Sequence, residues 1–200
     1  MTQQVQLVDI MPTILEFLSI QLHSKEIIEG KGLLRLIKGE APKDFNEIVI
    51  KPLNGMGGES IYKLSDIGAD EEALIQELTN DGKTLIVGQE FLPEIYDGDF
   101  RILIINGKPF KKTLARMPQG GSFKGNLAAG GKGVVKDINE NQKKVAEEVG
   151  KFLLSNGINF AGIDMIGDYL TEINITSPTC AREIFDQSGK DPINEYLSGL

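Results

Sequence analysis

Phe160-Ala-Gly-Ile-Asp-Met-Ile-Gly-Asp-Tyr-Leu-Thr-Glu-Ile-Asn-Ile, ending at Ile175, is the stretch on which the fold turns. Two runs rich in β-prone residues flank Gly167-Asp168, so the segment reads as an antiparallel strand pair closed by a tight turn. Glu172 and Asn174 lie two apart and share one face of their strand. Whether Asp164 joins them depends on register. A two-residue turn pairs Asp164 with Thr171 and sends Glu172 to the other face, whereas a three-residue turn pairs Asp164 with Glu172. In the second case two carboxylates and an amide oxygen converge with coordination positions left open, which suits Mg²⁺ or Mn²⁺ held together with a nucleotide. The same residues also read as solvated positions alternating with Ile163, Ile173 and Ile175, the ordinary pattern of a half-buried sheet. On spacing alone that second reading has the greater weight.

Working outward, Asn106-Gly107 is a two-residue hairpin signal between β-prone runs. Glu47-Ile-Val-Ile-Lys and Thr84-Leu-Ile-Val-Gly-Gln-Glu read as strands, the first ending at Pro52 and a glycine-rich loop. Asp70 is the expected N-cap of a helix that carries Leu74 and Leu78 and closes at Asn80-Asp-Gly. Val145, Val149, Phe152 and Leu153 mark one face of a second helix, from about Asn139 to Gly157. Hairpins mixed with crossovers do not fit a purely doubly wound parallel sheet. In residues 1–40, Ile14-Leu-Glu-Phe-Leu-Ser-Ile and Gly30-Lys-Gly-Leu-Leu-Arg-Leu-Ile read as helix or short strand.

The chain has 200 residues, 40% of them hydrophobic, enough for one ordinary domain or two small ones. Its 21 basic and 29 acidic residues leave a net charge of −8, which disfavours phosphate backbones and anionic membranes as partners. One cysteine, Cys180, and one histidine, His23, exclude an internal disulfide and the usual zinc sites, so a metal here must sit on oxygen ligands. Apolar stretches break well before the roughly 20 residues a bilayer span needs. The start, Met1-Thr-Gln-Gln-Val-Gln, has no signal-peptide character, and the expected compartment is the cytosol.

Asn54-Gly-Met-Gly-Gly-Glu-Ser follows a strand ending in Lys51, so backbone N–H groups could approach phosphate while the lysine supplies charge. It is neither a Walker A loop nor GxGxxG, and a plain turn accounts for it as well. Residues 118–133 hold six glycines and few large apolar side chains, a long loop of the functional or mobile kind. Lys51, Arg101, Lys111, Lys112, Arg116, Lys124 and Lys132 concentrate cations in an acidic protein. Arg101 and Arg116, near strand ends, suit bidentate capture of carboxylate or phosphate. Asp97 and Asp99 flank Gly98 as in a tight turn, Cys180 reads as buried and inert, and His23 reads as a surface or interface residue.

Taken in order, Lys51-Pro-Leu-Asn-Gly-Met-Gly-Gly, Gln89-Glu-Phe-Leu-Pro, Asp97-Gly-Asp-Phe-Arg, Ala115-Arg-Met-Pro-Gln-Gly-Gly, Gly125-Asn-Leu-Ala-Ala-Gly-Gly and Thr171-Glu-Ile-Asn-Ile-Thr-Ser-Pro-Thr-Cys resemble bacterial glutathione synthetase, a family of ATP-grasp ligases. The resemblance runs from about residue 47 to 185. It implies an ATP-grasp fold with nucleotide between two α+β subdomains, here 1–92 and 93–200. It also implies ligation of γ-glutamylcysteine and glycine through an acyl phosphate, with ATP and Mg²⁺ or Mn²⁺. By the family's pattern Lys51 contacts nucleotide, the loop with Gly55, Gly57, Gly58 and Ser60 covers its phosphates, and the Gln89-Glu90-Phe91-Leu92 segment borders adenine. Asp99 lies near the ribose. Asp164, Glu172 and Asn174 hold the metal, Asn174 also facing the nucleotide. Arg101 and Arg116 bind the reacting carboxylate or phosphate. The 118–133 loop becomes a lid, and Ser177 to Arg182 faces the peptide substrate.

The chain also departs from that pattern. Family members carry an N-terminal domain ahead of this region, and their first nucleotide lysine would fall at or before Met1. The stretch from Ser19 to Phe45 is longer than the pattern, and Lys124 and Lys132 replace arginines. The resemblance therefore implies either part of a longer enzyme or one half of a split enzyme whose front domain is a separate chain, with homo-oligomers as a further possibility. Two alternatives remain at this stage: a related carboxylate–amine ligase, and a noncatalytic ATP-binding module.

Overall fold

A computed structural model of the protein describes residues 34–37, 47–52, 60–65 and 68–199. His23, the first apolar run, and Gly55, Gly57 and Gly58 lie outside the described residues. The chain divides into two compact units, Met1–Phe91 and Leu92–Leu200.

In the first unit β1 (Leu34–Ile37), β2 (Glu47–Pro52), β3 (Tyr62–Ser65) and β4 (Ile86–Glu90) form an antiparallel sheet in the order β1-β4-β2-β3. Helix α1 (Ala69–Leu78) contributes Ile75 to a core with Ile48, Ile50, Leu64 and Ile86. The alternation Ile48, Ile50 buries one face of β2, and Val49 and Lys51 point the other way. The helix starts earlier than Asp70. Gly68 is the cap, because the Glu71 carboxylate reaches back to accept from the Gly68 N–H at 3.0 Å. Asp70 instead joins Glu71 and Glu72 in the first turn, where negative charge complements the helix dipole. Strand β4 starts at Ile86 rather than Thr84, since the Thr84 N–H is spent on the Thr79 carbonyl closing the helix.

The second unit holds a 3-10 turn (Pro93–Asp97), then β5 (Asp99–Ile105), β6 (Lys108–Pro109), β7 (Lys112–Met117), β8 (Lys132–Asp137), α2 (Glu140–Ser155), β9 (Phe160–Ile166), β10 (Tyr169–Asn174), α3 (Ala181–Ser188) and α4 (Pro192–Leu197). Its antiparallel sheet runs β10-β9-β5-β7-β8, with β6 hairpinned onto β5. The hairpin at Asn106-Gly107 is present: Ile105 pairs with Lys108, and both turn residues take positive φ, 49° and 77°. Helix α2 starts at Asn139, whose side chain accepts from the Gln142 N–H at 2.8 Å, and it ends before Gly157 at φ 75°.

Alternation along β5 and β7 produces a face of two characters. Leu103, Ile105 and Leu114 bury against Ile184 of α3 and Cys180, which caps that helix. Two residues further along the same faces stand Arg101, then Asp99, and on β7 Arg116. The apolar end anchors the sheet and the charged end builds the site. Among the described residues no helix is long and apolar enough to cross a membrane.

Candidate active site

The register of the deciding hairpin follows neither simple alternative. Tyr169 pairs with Ile166 and Leu170 with Met165 across the two-residue turn, but the ladder then slips, and Glu172 pairs with Asp164 and Asn174 with Gly162. Thr171 is the extra residue of a β-bulge, and its hydroxyl donates to the Asp164 carbonyl at 3.1 Å. The bulge supplies the one-residue shift that a three-residue turn would have supplied. Glu172 and Asn174 thus lie on the face of Asp164, which is also the face of Arg101, its partner on β5.

Asp164 is 2% exposed and both of its oxygens are engaged. Arg101 grips it with two nitrogens, Nε on one oxygen and Nη2 on the other at 2.8 Å. Arg116 Nη2 stands 3.0 Å from Oδ2 and also donates to Asp99. The result is a buried alternation Asp99, Arg116, Asp164, Arg101, which the Arg101 Nη1 extends to the Thr179 hydroxyl at 3.2 Å. Glycine makes room for it: a β-carbon on Gly162 would sit 3.0 Å from Arg101 Cδ. Removing four charges from water is tolerable only because each faces an opposite partner.

Their ionisation follows from that geometry. Burial opposes the charge on Asp164, yet hydrogen bonds from Arg101 and the charges of both arginines hold its carboxyl below the usual range. Burial likewise opposes the charges of Arg101 and Arg116, and their acidic partners still drive both guanidiniums further towards the protonated form. Asp99 differs. Burial, then the nearby Asp164 charge, push it up from 3.8 to about 6 against the pull of Arg116. Among the described residues, three buried polar atoms of this group find no hydrogen-bond partner: Asp99 Oδ1, Arg116 Nε and Asn174 Nδ2. Two of these are N–H donors, the complement of a phosphate oxygen. Glu172 is exposed beside them. Among the described residues no three His, Cys, Asp or Glu side chains cluster as a metal site.

The 118–133 segment is shorter as a loop than its glycines suggest, because Lys132 and Gly133 already pair with Met117 and Arg116 in β8. A β-carbon at Gly133 would lie 3.1 Å from the Leu114 side chain, which explains a glycine inside a strand. Gly125 lies against the site: its β-carbon would come within 2.6 Å of the Arg116 carbonyl oxygen. Cys180 is buried at φ 83°, and burial pushes its thiol up, which keeps it unreactive.

In the first unit Lys51 and Gln89 share the sheet face turned away from Ile48 and Ile50. Glu90 pairs with Ile48, so its side chain takes the opposite face from theirs. Phe91 is buried, its N–H donating to the Glu47 carbonyl at 3.0 Å and its ring lying 3.7 Å under the Lys63 ammonium. Ser60 is exposed at φ 52°. Leu92, buried, opens the second unit. Sequence reasoning missed Thr171 and also Thr113, which is buried and donates to the Arg101 carbonyl at 2.7 Å. A threonine in a strand is what β propensity supplies anyway, so neither carried a signal.

The fold places the chain among ATP-grasp proteins. It superposes on the ATP-grasp ligase PsnB, solved with a minimal precursor, Mg and ADP, with a TM-score of 0.59 at 17% identity, over 94% of this chain and 57% of that one. More narrowly, residues 32–189 match the family described as prokaryotic glutathione synthetase, ATP-grasp domain, and the chain belongs to that family. Proteins named glutathione synthetase are 48% identical over 154 residues in Xylella fastidiosa (77% of this chain, 49% of the relative) and 47% identical over 158 residues in Pseudomonas aeruginosa (79% and 50%). The chain spans about half the length of these curated relatives.

Proposed function

We propose that this chain is the nucleotide-binding, phosphoryl-transferring part of a glutathione synthetase. Its reaction class is ATP-dependent joining of the γ-glutamylcysteine carboxylate to the glycine amine. The observation that carries the reading is the buried arginine–aspartate alternation, with two N–H donors left for an acceptor beside an exposed carboxylate. The family match, and the relatives' name, support the same chemistry.

In this reading a substrate carboxylate oxygen attacks the γ-phosphorus of ATP and ADP leaves. The amine then attacks the acyl carbon and expels inorganic phosphate. No protein nucleophile is needed, only fixed cations where negative charge gathers. Arg101 and Arg116 supply them, pre-aimed by Asp164 and Asp99, with Lys51 and the Ser60 region serving the nucleotide and Gln89 to Leu92 its base. The donor set fits a hard divalent ion: Glu172 and the Asn174 carbonyl would hold it with Asp164, whose Oδ1, bonded by Arg101 Nε alone, keeps one lone pair. When bound, the ion would neutralise phosphate charge. The 118–131 loop, packed on Arg116 at Gly125, would keep water from the acyl phosphate.

A second reading, an ATP-binding module without turnover, draws on the same cluster, since holding phosphate needs only its cations and N–H donors. Two measurements decide. Isothermal titration with Mg·ATP is expected to show one binding site, and no heat of binding would end both readings. Phosphate release that requires both γ-glutamylcysteine and glycine supports the ligase, and Mg·ATP binding without such release leaves the module.

A further inference from the structure

The hairpin of β9 and β10 is built with a slip, and the slip decides which side chains face the arginines. Continued without it, the Gly167-Asp168 turn would set Thr171 opposite Asp164 and turn Glu172 to the face of Ile163 and Met165, both fully buried. The bulge at Thr171 prevents this. An extra residue in a ladder leaves backbone groups without their cross-strand partners, and a buried carbonyl left so costs stability. Here the Asp164 carbonyl receives the Thr171 hydroxyl. Asp164 is therefore held from two sides, its carboxylate by Arg101 and Arg116 and its backbone by Thr171.

We infer that Thr171 is a positioning residue: its hydroxyl, by fixing the bulge at this point of β10, holds Glu172 and Asn174 on the face that carries Asp164, Arg101 and Arg116. The inference rests on the proposed function for its consequence in ion binding, and on the register alone for its structural part. Burial of Ile173 also favours this register, so the hairpin stays paired without the hydroxyl. What the hydroxyl adds is the exact seat of the bulge, and through it the direction of the two side chains that follow.

The test compares Thr171→Val, which keeps shape and β propensity but has no donor, with Thr171→Ser, which keeps the donor. In the metal-free protein, amide exchange over residues 170–174 is expected to speed up about tenfold in Thr171→Val, and the cross-strand backbone NOEs between Glu172 and Asp164 to weaken. Thr171→Ser should match the unmutated chain. With ATP present, Mn²⁺ affinity followed by electron paramagnetic resonance should fall about tenfold or more in the valine variant only, the scale seen when a group that orients a metal ligand is lost. If Thr171→Val fails to fold, Thr171→Ala carries the same comparison. Unchanged exchange and NOEs in the valine variant overturn the inference, as does loosened exchange with unchanged Mn²⁺ affinity. Absence of Mn²⁺·ATP binding by the unmutated chain instead sinks the functional reading, and exchange then decides the structural part by itself.

Discussion

Asp99 and Asp164 are carboxylates of one cluster with opposite tendencies, and the difference lies in their partners. Asp164 meets three guanidinium nitrogens, whereas Asp99 meets one and keeps an oxygen without a partner among the described residues. Holding Asp164 ionised costs Asp99 its ease of ionisation, since burial and then the Asp164 charge raise Asp99 to about 6. The pH consequence follows from the proton balance. Between the ordinary 3.8 and about 6 the folded protein binds the Asp99 proton and the unfolded chain does not, so this contribution to stability is complete below pH 3.8 and is lost as pH rises through about 6. Urea unfolding from pH 4 to 7.5 is therefore expected to show the stability of the unmutated protein falling relative to Asp99→Asn, by about 3 kcal/mol at most. A difference that stays flat with pH would mean that Asp99 ionises like an exposed carboxylate.

Among the elements, α2 and the β5–β6 hairpin meet at two glycines, where the usual sign of a substitution reverses. Alanine in place of a helical glycine normally stabilises by about 1 kcal/mol. At Gly150 the new β-carbon would stand 2.3 Å from the Gly107 carbonyl oxygen, a backbone atom held by a tight turn at φ 77°. Gly150→Ala is thus expected to destabilise by more than about 1 kcal/mol and lower the melting temperature by at least about 3 °C in thermal unfolding. A rise in melting temperature would show that the contact is soft. The ends of α2 were legible because Asn139 and Gly157 act within one turn of themselves. The start of α1 was not, because Gly68 has no capping side chain and the bond that sets it comes from Glu71. The slip at Thr171 was illegible for a similar reason: turn length and bulge both shift register by one residue, and sequence periodicity reports only their sum.

At the scale of the molecule, the motifs pointed to Asp99, Arg101, Arg116 and Asp164 one by one, and the fold brings these four together in an arrangement the motifs did not show. Arg101 lies 63 residues from Asp164, and only the sheet order β9-β5-β7 makes them partners. Nothing near either residue in sequence announces that the acidic member of an expected metal set is already shared by two arginines. That sharing determines how the metal assignment is best probed. Removing Asp164 strands two buried guanidiniums, a loss of about 3–5 kcal/mol that would mask any effect on binding. Glu172 is exposed, so Glu172→Gln should leave the free protein within about 0.5 kcal/mol of its original stability. A ligand that binds only the folded chain at one hundred times its Kd stabilises it by about 2.7 kcal/mol. For a chain of 200 residues that is a rise of about 5–10 °C in melting temperature. Mg·ATP is expected to give such a rise with the unmutated protein, and most of it should vanish on adding EDTA or in Glu172→Gln. An equal rise in all three cases would place the nucleotide's stabilising contacts away from Glu172 and remove the ion from β10.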